Sequence, residues 1–135
     1  MSVVEYHVSG SIDPNREATY SVKKSSMTFG ILSDQEDLPN PAELLLGAFA
    51  ACCLKNVQRF STLLGYDYTA AKIEVKGERQ EKPTKMIAIR YIIRIESVDE
   101  KLNLKLLHRN LRKFGTIYNT LKEVCDVSGE LIVSP

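Results

Sequence analysis

Near the start of the chain, Val4, Tyr6 and Val8 alternate with Glu5, His7 and Ser9. A period of two predicts a strand with one apolar face, broken by Gly10 and by Asp13-Pro14-Asn15. Ala18, Tyr20 and Val22 repeat the pattern as a second strand. After a short turn at Ser25-Ser26, Met27, Phe29 and Ile31 give a third. Together they read as an antiparallel meander. Ser33 to Pro39 is a polar, acidic loop.

The pattern then changes. Asn40-Pro-Ala-Glu-Leu-Leu-Leu-Gly-Ala-Phe-Ala-Ala-Cys-Cys-Leu-Lys-Asn-Val-Gln-Arg-Phe60, running on to Gly65, is the longest helical stretch and the most apolar. Asn40 suits an N-cap, Pro41 the first helical position and Glu43 the third residue of a capping box. Gly65 is a stop. From Leu44 to Leu54 the helix is apolar on every side, so protein should surround it. Beyond, Val57, Phe60 and Leu64 form one stripe, and Lys55, Gln58, Arg59 and Thr62 face away.

Ala71, Ile73 and Val75 predict a strand reaching toward Arg79, and Ile87 to Ile95 gives the cleanest alternation in the chain. The turn between them lies within Gly77 to Lys85. Asp99-Glu100 opens an amphipathic helix with Leu104, Leu107, Leu111 and Phe114 on one face. Gly115 breaks it, a short helix follows from Thr116 to about Glu123, and Leu131 to Ser134 forms a last strand. The order βββ-α-ββ-αα-β is that of a mixed α+β domain, not a doubly wound sheet. A helix apolar all round is hard to cover in one such domain, so a homodimer that buries it is expected.

At 135 residues the chain is one domain, residues 1–135, large enough for a core. A net charge of +1 and the lack of a basic, aromatic-rich cluster argue against nucleic acid and membrane as partners. The N-terminal residues lack a signal-peptide pattern, and the apolar run is too short to span a bilayer. The expected location is the cytoplasm, where thiols are kept reduced. Without a CxxC pattern, and with His7 and His108 isolated, no metal or other cofactor is expected. His7 reads as a strand-surface residue and His108 as a helix-end cation.

Any chemistry then centres on the cysteines. At about 100° per residue, Cys52 shares a face with Lys55, Asn56 and Arg59, and Cys53 with Phe49, Val57 and Phe60. Cys52 points toward the polar flank and Cys53 toward the core. Either can be a small buried hydrophobe. Cys52 can instead be a nucleophile if a cation stabilises its thiolate, since the helix N-terminus is too distant to help. Arg59, two turns on, is one candidate. Arg16, in the first turn, is another.

Asn40-Pro-Ala-Glu-Leu-Leu-Leu-Gly-Ala-Phe-Ala-Ala-Cys52 resembles the signature of the OsmC/Ohr family, the osmotically inducible and organic-hydroperoxide-resistance proteins. That pattern runs N-P-E-x-L, small and apolar residues, then A-A-C. The element order is similar over nearly the whole chain. The resemblance implies an OsmC-like fold in an intertwined homodimer, with sites at the subunit interface. It implies that Cys52 attacks a hydroperoxide and becomes a sulfenic acid, that an arginine, matched by Arg16, holds the thiolate, and that a second cysteine in C-P-V-S closes a disulfide which a dithiol resets.

Two departures stand out. The family glutamate follows the proline directly, whereas Ala42 stands there and Glu43 comes one residue later, which makes Glu43 a helix cap before it is a site residue. Cys125-Asp-Val-Ser128 echoes C-P-V-S and makes Cys125 a candidate resolving cysteine, yet the surrounding pattern aligns Gly115 with that position. Two functions stay open. One is a thiol redox protein that reduces a hydroperoxide through Cys52 and is reset by an external thiol, or by Cys125 if it can approach. The other is a non-enzymatic dimer that binds an apolar small molecule at its interface.

Overall fold

The structure is a computed structural model that describes residues 2–14 and 17–135. The chain forms two compact units, residues 1–44 and 45–135.

The first unit holds an antiparallel meander of β1 (Ser9–Ile12), β2 (Ala18–Val22) and β3 (Ser25–Phe29). The first strand is not where alternation placed it. Val4, Tyr6 and Val8 are exposed and outside the sheet. The reason lies in β2: it pairs Ser9 with Ser21, one residue before its end, and then turns at Lys23 with φ 54°. Only Val22 of β2 remains, opposite Val8, and no strand backbone stands opposite residues 4 to 7. The turn to β3 is thus Lys23-Lys24, and Ser25-Ser26 are already strand.

Helix α1 (Pro41–Leu64) begins in the first unit and runs into the second. Asn40 and Glu43 close a reciprocal capping box. The Glu43 amide donates to Asn40 Oδ1 at 2.8 Å, and the Asn40 amide donates to Glu43 Oε1 at 3.1 Å. The helix stops at Gly65, which takes the left-handed φ of 73° that glycine permits.

In the second unit β4 (Ala70–Glu81) and β5 (Thr84–Glu96) form a long antiparallel hairpin, and β6 (Asp126–Ser134) runs parallel to β5. Helices α2 (Leu104–Phe114) and α3 (Thr116–Lys122) make the crossover. The core gathers Phe49, Cys53, Val57 and Phe60 of α1 with Ile89, Tyr91, Ile93 and Ile95 of β5 and with Leu107, Leu111, Tyr118 and Leu121 of the crossover. Most of these come from the faces their periodicity assigned, but in α3 Tyr118 is buried with Leu121, while Val124, past the end of the helix, is exposed.

Helix α2 starts later than Asp99-Glu100. Its N-cap is Asn103, whose side chain accepts from the Leu106 amide. Asp99 instead accepts from the backbone amides of Asp67 and Lys101, at 2.8 and 2.9 Å, and ties the α1–β4 connection to the β5–α2 connection. Those same bonds, Lys101 first, hold its carboxyl below the usual aspartate range.

Only part of α1 is covered. Phe49, Cys53, Asn56, Val57, Phe60 and Ser61 are buried, whereas Gly47, Ala48 and Ala51 are exposed. The expectation of a helix enclosed on all sides does not hold within one chain.

Candidate functional site

Helix geometry separates the adjacent cysteines as their faces require. Cys53 is 3% exposed within the apolar core. Burial, and then the repulsion of a charge on neighbouring Cys52, push its thiol up to about 12. It is an inert packing group. Cys52 is half-buried, on the flank that leads to solvent. All three cysteines are free thiols.

One turn below Cys52 lies Asn56, which is buried. Its Nδ2 donates to the Cys52 carbonyl at 2.9 Å and to Cys52 Sγ at 3.8 Å. The amide group has two hydrogens and can serve both acceptors. A charged sulfur at Cys52 would therefore find a donor fixed on its own helix. Sequence reasoning placed Asn56 on the Cys52 face and assigned it no part. The signal was there, since an amide four residues after a cysteine is one helical turn away.

On the other side of the sulfur is Gly115, at the joint between α2 and α3. A Cβ at that position would lie 3.3 Å from Cys52 Sγ, 2.8 Å from the Leu111 carbonyl oxygen and 3.1 Å from Tyr118 Cβ. The backbone φ of −74° is open to any residue, so close approach, not conformation, demands glycine here. The Leu111 carbonyl is fixed because it accepts the Gly115 amide at 3.1 Å. A glycine thus faces the Cys52 thiol where a side chain could otherwise reach it.

Cys125 follows α3 and is buried. Its thiol donates to the Met86 carbonyl of β5 at 3.4 Å. Arg59 sits with its guanidinium 5.3 Å from the Phe60 ring centroid and 5.9 Å from that of Phe114, so its charge rests on two aromatic faces. Glu43 is engaged in the capping box. Arg16 lies outside the described residues.

His108 is not the helix-end cation that its place suggested. Its Nε2 hydrogen-bonds the Tyr91 hydroxyl at 2.6 Å beneath α2. Burial first, and then neighbouring Arg112, lower its pKa, so the ring favours its neutral form. Burial and the adjacent Tyr118 hydroxyl push the Tyr91 phenol upward. Tyr91 also packs against Phe49, with ring centroids 5.5 Å apart. Above this pair a cleft of about 570 Å³ is lined by Asn103, Lys105, Leu106, His108, Arg109 and Arg112.

Among the described residues no group of His, Cys, Asp or Glu could hold a metal ion, and no buried side-chain nitrogen or oxygen lacks a partner. No helix is long and apolar enough to cross a membrane.

The model of a family described as OsmC-like protein matches residues 34–130, which include the capped helix, both of its cysteines and Gly115. The chain belongs to the OsmC-like family. Solved structures agree with this OsmC-like fold. An OsmC-like protein from Mycoplasma pneumoniae is similar with a TM-score of 0.82 at 17% identity, covering 96% of this chain and 98% of that one. A hypothetical protein from Aquifex aeolicus reaches a TM-score of 0.74 at 21% identity and full coverage of both chains. The organic hydroperoxide resistance protein OhrB of Bacillus subtilis gives 0.65 at 14% identity, over 96% of this chain and 99% of that one. At such identities the likeness is one of fold. No curated protein sequence matches the chain.

Proposed function

We propose that this OsmC-like chain is a thiol redox protein in which Cys52 reduces a hydroperoxide and an external thiol restores it. The observation that carries this reading is the asymmetry of the cysteines. Cys53 and Cys125 are buried in the core, and Cys52 alone is half-open with an amide donor at its sulfur. The description of the Bacillus subtilis relative as an organic hydroperoxide resistance protein supports it.

In this reading the Cys52 thiolate attacks the terminal oxygen of the hydroperoxide. The O–O bond breaks, the sulfur takes the OH to become a sulfenic acid, and the departing alkoxide takes a proton from water to leave as the alcohol. The sulfur is oxidised by two electrons and the peroxide is reduced. Asn56 donates to the sulfur throughout. Arg16 is the candidate cation. Cys125 would have to leave the Met86 carbonyl to act as the resolving thiol, so the main route of reset is a thiol from outside. Glu43 caps the helix and carries no step. A reducing compartment such as the cytoplasm suits the cycle.

The exposed Gly47, Ala48 and Ala51 give the proposed homodimer its face on α1, with residues 1–135 acting as one domain in each copy. Sedimentation of the purified protein tests this, and a monomer at micromolar concentration would count against it.

The deciding experiment is consumption of an organic hydroperoxide with excess thiol by wild type and Cys52→Ser, with dimedone capture of the sulfenic acid. Turnover and a dimedone adduct on Cys52, both lost in the variant, are expected. Turnover unchanged in Cys52→Ser, or absent from wild type, would instead favour a dimer that binds an apolar ligand.

A further inference from the structure

If Cys52 is oxidised, something must resolve it, and the residues around it restrict what that can be. Gly115, facing the sulfur, has no side chain, and the Cys125 thiol is engaged with the Met86 carbonyl. The resolving thiol must then come from solvent.

The crossover from β5 to β6 is strongly cationic. Between Lys101 and Lys122 the chain has no Asp or Glu, yet it holds Lys101, Lys105, Arg109, Arg112, Lys113 and Lys122. That is one third of the 18 basic residues, in a protein whose net charge is only +1. Lys105, Arg109 and Arg112 line the cleft on α2, and the ion pairs of the described residues, Arg79–Glu81 and Arg90–Asp126, do not involve them.

The cleft and the glycine that faces the thiol share one helix. His108, Arg112 and Gly115 are spaced i, i+4 and i+7, so they form one row along α2. His108 anchors the row to Tyr91, and Gly115 ends it against Cys52 Sγ. At a rise of about 1.5 Å per residue, the cleft cations stand roughly 5 to 15 Å along the axis from Gly115. A small molecule that carries carboxylates a few bonds from a thiol spans the nearer part of that range. Guanidinium forks suit carboxylates and hold them in two-pronged pairs.

We infer that the α2 cleft docks an anionic low-molecular-weight thiol, one bearing carboxylates, and presents its sulfur to oxidised Cys52. This rests on the redox reading of Cys52. In the first step the thiol attacks the sulfenic sulfur, an S–S bond forms, and the sulfenic oxygen leaves as water with the thiol's proton. A second molecule of the same thiol then attacks the mixed disulfide, releasing the small disulfide and free Cys52. The two thiols supply the two electrons that the hydroperoxide removed.

The test does not need a hydroperoxide. Full-length protein is treated with methyl methanethiosulfonate, which places a small neutral methylthio group on Cys52. Its discharge by mercaptosuccinate, 2-mercaptoethanol and cysteamine is followed by mass spectrometry, each rate divided by that of the same thiol with a small neutral disulfide, to remove intrinsic reactivity. The normalised rate should favour mercaptosuccinate over 2-mercaptoethanol by about tenfold at low salt, with cysteamine slowest, and high salt should reduce the preference severalfold. In Arg109→Gln/Arg112→Gln the ratio should fall to within about twofold, through loss of the mercaptosuccinate rate alone.

Equal normalised rates for the three thiols would overturn the inference. So would a preference that survives in the double variant, a charge preference shown by hydroperoxides instead of thiols, or a Cys52 that resists methylthiolation in the folded protein. Dimedone capture reads the redox function separately. A charge preference without a sulfenic acid would retain the docking site and refute the peroxidase cycle.

Discussion

Cys52 and Cys53 share a backbone, a helix and a chemical type, and differ only by about 100° of rotation. That rotation puts one sulfur among Phe49, Val57 and the β5 isoleucines and the other between an amide and a glycine at the edge of the core. Burial has raised the Cys53 thiol to about 12, so at pH 8 about one molecule in ten thousand carries the thiolate. Exposure here is a property of the helix face. Adjacent cysteines in a sequence are thus two different questions.

Four measurements probe this contrast, in order of decreasing effect. Phe49→Ala empties a core position one turn before Cys53. Its ring is fully buried and packs on Tyr91 and Tyr118, so denaturant unfolding should show a loss of about 3–5 kcal/mol. A loss under about 1 kcal/mol would mean that the core is not organised around α1.

Iodoacetamide followed by peptide mapping at about pH 8 compares the thiols directly. Cys53 should be modified at least a hundredfold more slowly than Cys52, from its suppressed ionisation and its burial. Comparable rates would show that the two faces are not distinct in solution.

Gly115→Ala drives a methyl group to within 2.8 Å of the Leu111 carbonyl oxygen and 3.3 Å of Cys52 Sγ. The expected cost is about 1–3 kcal/mol from overpacking, with slower Cys52 alkylation. A variant of unchanged stability and unchanged Cys52 rate would move Gly115 away from the sulfur.

The smallest effect belongs to His108. Its folded-state pKa is lowered by burial and by Arg112, so the unfolded chain binds the proton more readily. Stability from this group is present above the ordinary histidine value of about 6.5 and falls as pH drops through the folded value. Tm should therefore decline by about 1–3 °C between roughly pH 7 and 5. His108→Gln should flatten that segment. Asp99, whose pKa is also lowered, keeps its contribution down to about pH 4 and loses it only below, so the two windows separate.

Much of this was written in the local pattern. Period two found β2, β4 and β5, and period 3.6 found α1 with its cap at Asn40 and its stop at Gly65. Both signals are local, because side-chain direction follows from backbone geometry alone. The first strand was misplaced because alternation cannot say where a partner strand ends, and β2 turns away at Lys23, which leaves residues 4 to 7 nothing to pair with. The start of α2 was misplaced for a related reason. Asp99 resembles a cap, but its carboxylate is engaged by Asp67, which is remote in sequence. At the site, helical spacing put Asn56 beside Cys52, and the local pattern marked Gly115 as a break. Neither could show that Gly115 comes against the sulfur, nor that Tyr91 binds His108, since both depend on how α2 packs. Arg16 lies outside the described residues and is a candidate on sequence grounds alone.

The parallel pairing of β6 with β5 bears on the order of assembly. The β4–β5 hairpin begins at the Glu81–Thr84 pair and can zip outward from its turn. By contrast β6 can find its register only after the chain has closed a loop of roughly thirty residues, from Glu96 through both crossover helices to Asp126. Contacts that require such closure form late. The hairpin should thus acquire protection from hydrogen exchange early in refolding, and the joint at Gly115, carried on the crossover, should reach the Cys52 sulfur only as β6 docks. In kinetic terms the thiol's surroundings are among the last parts of the second unit to form.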